Sequence, residues 1–317
     1  MSQRLTERAS GIYTISATPF TEDGALDLES TDRLMDFYLG HGVHGITLLG
    51  IMGEAPKLIE AESLAFVGRA LKRLDGRIPA VIGVSQAGLA SLGQLARKVM
   101  DLGAAGVMVA PTPGLKGDKG VYDYYTQVFR ELGPNVPVVL QDYPQANGVF
   151  LDVEVFHRLV DAFPQLVMLK HEDAPGLSKL SRIRAESAAA GRRRVSILIG
   201  NGGLYYMQEL QRGADGAMTG YAYPEMLVEV YRRFAAGDLD GAENLYDAHL
   251  PLLKHEQVPG FGLLVRKEIL RRRGAIASAK VRPPGGHMVA ADLVELDRLI
   301  RRLERRLAEP TLIEAVA

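Results

Sequence analysis

Short apolar runs rich in β-branched residues punctuate the chain at residues 12–17, 46–49, 80–84, 107–110, 138–140, 167–169, 196–199 and 217–219. Their starts lie roughly 20 to 35 residues apart, the interval of successive strand–helix units. Between them, residues 28–39, 60–74, 91–102, 122–132, 153–163, 177–190, 204–212 and 225–235 place apolar side chains at the three- and four-residue steps of an amphipathic helix. Several of these helices end in glycine-containing turns, at Gly42, Gly76, Gly103, Gly133 and Gly213, where a residue without a Cβ supplies a left-handed cap. The strand runs are continuous rather than alternating, which suits parallel strands covered on both faces. Eight such units favour an α/β fold of the closed (β/α)8 TIM-barrel type over an open doubly wound sheet.

After Gly237 the strand signals stop. Residues 240–253, 260–273 and 291–307 read as helices, separated by a turn at Arg282-Pro283-Pro284-Gly285-Gly286. The expected organisation is an N-terminal tail over residues 1–10, a barrel catalytic domain over 11–237 and a C-terminal helical extension over 238–317.

Composition removes whole classes of function. The formal net charge is −1, so no global field draws the chain to nucleic acid or to an anionic membrane. No stretch approaches the roughly 18 apolar residues of a membrane span, and the polar, arginine-bearing residues 1–10 do not read as a secretory signal. Cysteine is absent, which excludes disulfides and thiolate chemistry and fits the reducing cytoplasm where we expect the protein.

In a barrel of this kind reactive groups sit where strands end and the next loops begin. Lys170 closes the run Leu166-Val167-Met168-Leu169 and precedes His171-Glu172-Asp173. Burial disfavours an ammonium ion, so such a lysine can lose its proton near neutral pH and attack a carbonyl to form a Schiff base. The alternative is a structural ion pair with Glu172 or Glu54. In Gly50-Ile51-Met52-Gly53-Glu54 two glycines let backbone N–H groups approach a ligand carboxylate; the alternative is a tight turn with Glu54 capping the next helix. Gly200-Asn201-Gly202-Gly203 offers at most a weak anion cradle. Only His171 among the histidines falls at a strand end, and no paired histidine spacing marks the mouth, so no metal is expected.

These residues resemble the dihydrodipicolinate synthase / N-acetylneuraminate lyase family of class I Schiff-base lyases. The resemblance is carried by Ala17-Thr18-Pro19-Phe20, by the Gly-x-x-Gly-Glu of residues 50–54 and by the lysine closing strand 6, and it runs to Gly213-Ala214-Asp215-Gly216. It implies a (β/α)8 barrel with a C-terminal helical extension, no cofactor, and a homo-oligomer, either tetramer or dimer. It implies that Lys170 forms the imine with pyruvate or another 2-keto acid and that the 50–54 loop grips its carboxylate. Lys170, Gln141 and Tyr143 form the expected catalytic set. Thr18, Gly50, Ile51, Met52, Gly53, Glu54, Gly200 and Met218 form the expected substrate-binding set.

The departures narrow the chemistry. Where the family loop carries two hydroxyl residues, this chain has Ile51 and Met52, leaving backbone donors. Where the family has Tyr-Asn-x-Pro after strand 5, it has Gln141-Asp142-Tyr143-Pro144, and a glutamine cannot exchange a proton at neutral pH. Ala146 stands near where the synthases place an arginine, and Thr112-Pro113 replaces a tyrosine pair. These changes argue against dihydrodipicolinate synthesis itself and suggest a less polar mouth. The expected function is a Schiff-base-forming lyase, an aldolase or hydro-lyase, acting on a 2-keto acid. Tyr143, His171, Glu172 and Tyr221 are the candidates for proton transfer. The alternative is a catalytically impaired keto-acid-binding or regulatory protein on the same barrel.

Overall fold

The structure, a computed structural model, describes residues 4–309; the first three residues of the expected tail and the last eight of the expected extension lie outside them. Eight parallel strands close in chain order: β1 (Gly11–Ile15), β2 (Gly45–Leu48), β3 (Ala80–Gly83), β4 (Gly106–Val109), β5 (Val138–Asp142), β6 (Leu166–His171), β7 (Ser196–Ile199) and β8 (Gly216–Ala217), which pairs back to β1. Around them run α1 (Leu28–Gly40), α2 (Glu60–Leu74), α3 (Leu89–Asp101), α4 (Gly117–Leu132), α5 (Pro144–Asn147), α6 (Val153–Ala162), α7 (Leu177–Ala189), α8 (Tyr206–Gln211) and α9 (Pro224–Ala235). Three further helices follow, α10 (Leu239–His255), α11 (Gly262–Arg272) and α12 (Ala290–Ala308). The fold is a (β/α)8 TIM barrel with flanking C-terminal helices. None of the described helices is long and apolar enough to cross a membrane.

Local chemistry sets the element ends. Asp27 and Asp152 accept hydrogen bonds from the N–H groups of Ser30 and Glu154, capping α1 and α6, as short acidic side chains do at helix starts. Along each strand, alternate side chains separate into two cores. Ile46, Leu48, Val107 and Ile197 face the helices, whereas Tyr13, Val81, Met108, Val139, Leu198 and Met218 fill the barrel interior. Leu5 joins that interior cluster, and its N–H donates to the Ala105 carbonyl at 2.9 Å, so the described part of the tail closes the barrel floor.

Two strands outrun the apolar signal. β5 continues through Gln141 and Asp142, and β6 through Lys170 and His171. The ladder stays regular there while the side chains turn polar because they have reached the mouth. The β5–β6 pairing also shifts: Val138 lies opposite Leu166 but Val139 opposite Met168, leaving Val167 as one extra residue on β6. Such a bulge bends and twists its strand locally.

The end of β3 is packed against the chain that leaves β2. A Cβ on Gly83 would lie 2.2 Å from the carbonyl oxygen of Leu49, which itself has φ 55°. Backbone cannot move aside as a flexible side chain does. A Gly83→Ala variant is expected to lose roughly 1–3 kcal/mol of stability, read as a lowered midpoint in thermal or denaturant unfolding.

Candidate active site

Lys170 faces into the barrel at its C-terminal mouth and is 3% exposed. Its Nζ lies 2.8 Å from Glu172 Oε2, and the same oxygen accepts a hydrogen bond from Gln141 Nε2 at 2.7 Å. The strand ladder dictates this triangle. Gln141 and Lys170 are register partners across β5 and β6, and Glu172 stands two residues beyond Lys170, hence on the same inward face. Gly200, at the end of β7, leaves the space: a Cβ there would fall 2.1 Å from Glu172 Cγ. Asn201 fixes the turn by donating its amide to the Glu172 carbonyl at 3.0 Å.

The mouth divides into a chamber and a cleft. The chamber, about 80 Å³, is lined by Lys170, Glu172, Gln141 and Tyr143, by Ile51 and Met52 from the β2 loop, and by Arg266 and Gln257 from the C-terminal helices. The cleft, about 640 Å³, opens over the ends of β2, β3 and β4 and is lined in part by Gly50, Leu58, Ser85, Met108, Thr112 and Pro113. Ile51 and Gln141 border both. The less polar mouth expected from the sequence therefore describes the cleft, whereas ionic groups crowd the chamber.

Of the expected site residues, Lys170, Gln141, Tyr143, Ile51 and Met52 meet at the chamber, and Gly50 lines the cleft. The rest support the site from outside these cavities. Thr18 Oγ1 donates to the Gly53 carbonyl at 2.5 Å, pinning the β2 loop to the end of β1. Met218 is buried among the interior residues, and Gly200 admits Glu172. Glu54 points away, into the C-terminal helices: its carboxylate meets Lys267 Nζ at 2.5 Å, Lys57 Nζ at 3.0 Å and the Arg282 N–H at 3.0 Å. Burial pushes the Lys267 ammonium down to about 8.

The proton-transfer candidates separate in the same way. Tyr221 turns outward, its hydroxyl 2.9 Å from His249 Nδ1. His171 also faces the helices, with Nε2 3.0 Å from the Gly176 carbonyl and Nδ1 3.6 Å from Asp142, which pairs with Lys179 at 2.6 Å. Glu172 and Tyr143 remain in the chamber. Burial, with Glu172 nearby, raises the Tyr143 phenol above its ordinary range, so it would act there as a neutral donor.

Behind the mouth, Glu209 on α8 is 5% exposed, and burial raises its carboxyl to about 8 against the opposing pull of His171. The folded pKa is above the unfolded one, so its contribution is complete below about pH 4.5 and is lost as pH rises through 8. Across that window this group's share of stability should fall by up to about 1.4 kcal/mol per pH unit. A Glu209→Gln variant is expected to show a flatter pH dependence than the parent protein in denaturant unfolding between pH 5 and 9.

Two chamber residues, Arg266 and Gln257, were not legible as site residues. They come from α11 and from the turn after α10, where strand-end counting has no purchase.

A lysine facing inward at the C-terminal mouth of a (β/α)8 barrel, with a carboxylate and an amide on neighbouring strands, defines a class of barrel in which one amine meets a small polar chamber. The family model described as the dihydrodipicolinate synthetase family matches residues 8–303, and the chain belongs to that family. The crystal structure of dihydrodipicolinate synthase from Rhodopseudomonas palustris superposes with a TM-score of 0.93 at 46% identity, covering 95% of this chain and 100% of that one. Over nearly its full length the chain is 27% identical to L-2-keto-3-deoxyarabonate dehydratase from Azospirillum brasilense, covering 96% of this chain and 97% of the relative. It is 32% identical to 4-hydroxy-tetrahydrodipicolinate synthase from Sorangium cellulosum, covering 94% and 97% respectively. The similar proteins thus carry the names of both a dehydratase and synthases.

Proposed function

We propose that the protein is a class I lyase that forms a Schiff base between Lys170 and a 2-keto acid, and that it catalyses dehydration or aldol cleavage rather than dihydrodipicolinate synthesis. The observation that carries this is the buried Lys170 amine, 2.8 Å from the Glu172 carboxylate in a chamber that opens towards a larger cleft. The full-length similarity to a keto-deoxy sugar acid dehydratase supports a sugar-derived keto acid as substrate. Gln141 at the family's tyrosine position argues against the synthase reaction.

The geometry supports the following roles. Glu172 takes the proton that Lys170 must lose before its amine attacks C2 of the keto acid. It returns that proton as the carbinolamine loses water, leaving the iminium ion. The iminium draws electrons from C3, whose proton Glu172 accepts to give the enamine. In dehydration the enamine then expels the C4 hydroxyl as water on a proton from the Tyr143 phenol. In aldol cleavage the enamine forms instead as the C3–C4 bond breaks, Glu172 accepting the C4 hydroxyl proton while the aldehyde leaves towards the cleft, after which C3 is protonated. In both reactions water hydrolyses the imine to free Lys170. Gln141 cannot carry protons; its amide holds Glu172 by the 2.7 Å hydrogen bond. In the β2 loop, Ile51 and Met52 offer backbone N–H groups to the substrate carboxylate.

Borohydride reduction in the presence of a panel of 2-keto acids, followed by peptide mass mapping, tests the proposal. An adduct on Lys170 with at least one member is expected, and a clean Lys170 peptide with every member would refute it. Saturable labelling without turnover of any keto-deoxy sugar acid would instead favour the impaired, ligand-binding alternative, for which the glutamine at position 141 is the supporting observation.

A further inference from the structure

We propose that the buried Glu54–Lys267 pair positions the substrate site: through it, α11 and the chain that follows hold the loop after β2 in the shape that presents its backbone N–H groups to the keto-acid carboxylate. This deepens the keto-acid reading and rests on it for the identity of the ligand.

The loop needs holding. It makes two short turns, Ile51–Gly53 and Ala55–Lys57, joined at Glu54. Glu54 has φ 56° and ψ 28°, a left-handed conformation that a residue with a side chain keeps only where its surroundings impose it. The first turn closes as the Gly53 N–H donates to the Gly50 carbonyl at 2.9 Å, which leaves the Ile51 and Met52 N–H groups outside the turn's own hydrogen bonds. Apolar packing contributes little on the outer side, where Ile51 is exposed and Met52 half-buried. The shape therefore rests on polar contacts made by Glu54 and by Thr18.

The contacts of Glu54 converge on one buried pair of charges. Glu54 is 2% exposed and Lys267 0%. Besides meeting Glu54, Lys267 Nζ donates to the Lys280 carbonyl at 2.7 Å, and the segment it reaches returns to the loop. The Arg282 N–H donates to Glu54 at 3.0 Å, while Lys57 Nζ donates to the Arg282 carbonyl at 2.8 Å. The Arg282 guanidinium in turn donates to the Lys57 carbonyl at 3.0 Å and to Glu62 at 2.7 Å. Both cations lie over the Phe20 ring, Lys267 at 4.5 Å and Arg282 at 4.3 Å from its centre. Residues 280–282 and the second turn of the loop are thus laced together behind the mouth.

Placement separates this pair from an ordinary stabilising one. Buried ion pairs add little net stability over apolar replacements, so stability alone gives no reason to keep one. This pair closes on the left-handed residue itself, directly after the turn whose N–H groups meet the carboxylate. A displacement of about 1 Å there is enough to weaken a site by up to 10²-fold. The pair also carries a pH signature. Burial lowers the Lys267 ammonium to about 8 against the pull of Glu54, with Lys57 and Arg282 as the other charges facing it. Above that pH the lysine is neutral and its hold on the carboxylate weakens, so half-saturating pyruvate should rise between pH 7 and 9.

Two readouts on the full-length protein test the inference. Hydrogen–deuterium exchange with mass spectrometry follows the mobility of residues 50–58. The pyruvate concentration that half-saturates borohydride labelling of Lys170 follows carboxylate capture. Glu54→Leu with Lys267→Met removes both charges together and leaves neither stranded; Glu54→Gln is the milder change should the double variant fail to fold. In the double variant we expect faster exchange in residues 50–58 and 280–282, and half-saturating pyruvate raised between roughly 10- and 100-fold. The labelling rate at saturation should be unchanged, and the parental rise between pH 7 and 9 should be lost. Glu54→Gln should move the same quantities by smaller factors. A folded variant with parental exchange in the loop, or with parental half-saturation, would reduce the pair to a structural one and overturn the inference. If no 2-keto acid labels the parent protein, the Schiff-base reading fails on its own. Calorimetry with oxamate, a carboxylate that forms no imine, then replaces labelling: weaker binding in the variants upholds the inference, and equal or absent binding overturns it.

Discussion

A Lys170→Ala variant is expected to take no borohydride-stable adduct from pyruvate and to lose turnover by on the order of 10⁴-fold or more, the scale seen when a covalent nucleophile is deleted. The loss has a structural component that must be separated. Lys170 and Glu172 form a buried pair, and removing one partner of such a pair leaves an uncompensated charge at a cost of about 3–5 kcal/mol. Alanine therefore lowers the unfolding midpoint as well as the rate. Lys170→Arg separates the two effects, since a guanidinium can still meet the Glu172 carboxylate but cannot form an imine. The expected result is near-parental stability with no labelling and no turnover. Persistent labelling of the alanine variant at another residue would move the nucleophile elsewhere.

Glu172→Gln is expected to divide the reaction at a different point. The substitution keeps the shape and an acceptor for Gln141 but leaves the buried Lys170 without its counterion, which favours the neutral amine and lowers the unfolding midpoint. Pyruvate should still label Lys170 under borohydride, though more slowly because Glu172 also serves imine formation, and kcat should fall about 10²- to 10⁴-fold, the usual worth of a positioned acid/base. Exchange of the pyruvate methyl hydrogens into deuterium oxide, followed by proton NMR, isolates the C3 step without requiring the true substrate. Exchange should slow with kcat while KM changes little. If exchange proceeds at the parental rate, Glu172 is not the base, and Tyr143 is the proton carrier left in the chamber.

The eightfold alternation of apolar runs was enough to define the barrel because each strand is covered on both faces, and continuous burial is a strong signal. Lys170 was legible for the same reason: a cation closing an apolar run contradicts its surroundings. The strand bounds were less legible where the site begins. Gln141, Asp142, Lys170 and His171 continue β5 and β6 while breaking the hydrophobic pattern, since hydrophobicity reports burial in a core rather than strand pairing. The surroundings of Glu54 were only partly legible, because Lys57 is three residues away whereas its other ionic partner, Lys267, and the Arg282 backbone N–H lie more than 200 residues along the chain. Arg266 and Gln257 left no signal of their own. Arg266 sits in α11 and Gln257 in the turn after α10, and neither local pattern gives a sign that the side chain packs against a glycine past a strand end.

The extra residue on β6 decides which chemistry the barrel contains. Leu166 at the foot of the strand packs outward, so strict alternation from it would send Lys170 to the outside and bring His171 into the chamber. Instead Val167 and Met168 both belong to the interior cluster, and the phase of everything above them is inverted. The nucleophile thus depends on the parity of a strand rather than on the identity of its neighbours. Among diverged copies of this barrel, loss of a single residue at the foot of β6 would silence the lysine without touching it, and any sequence gap placed there deserves to be read as a change of function.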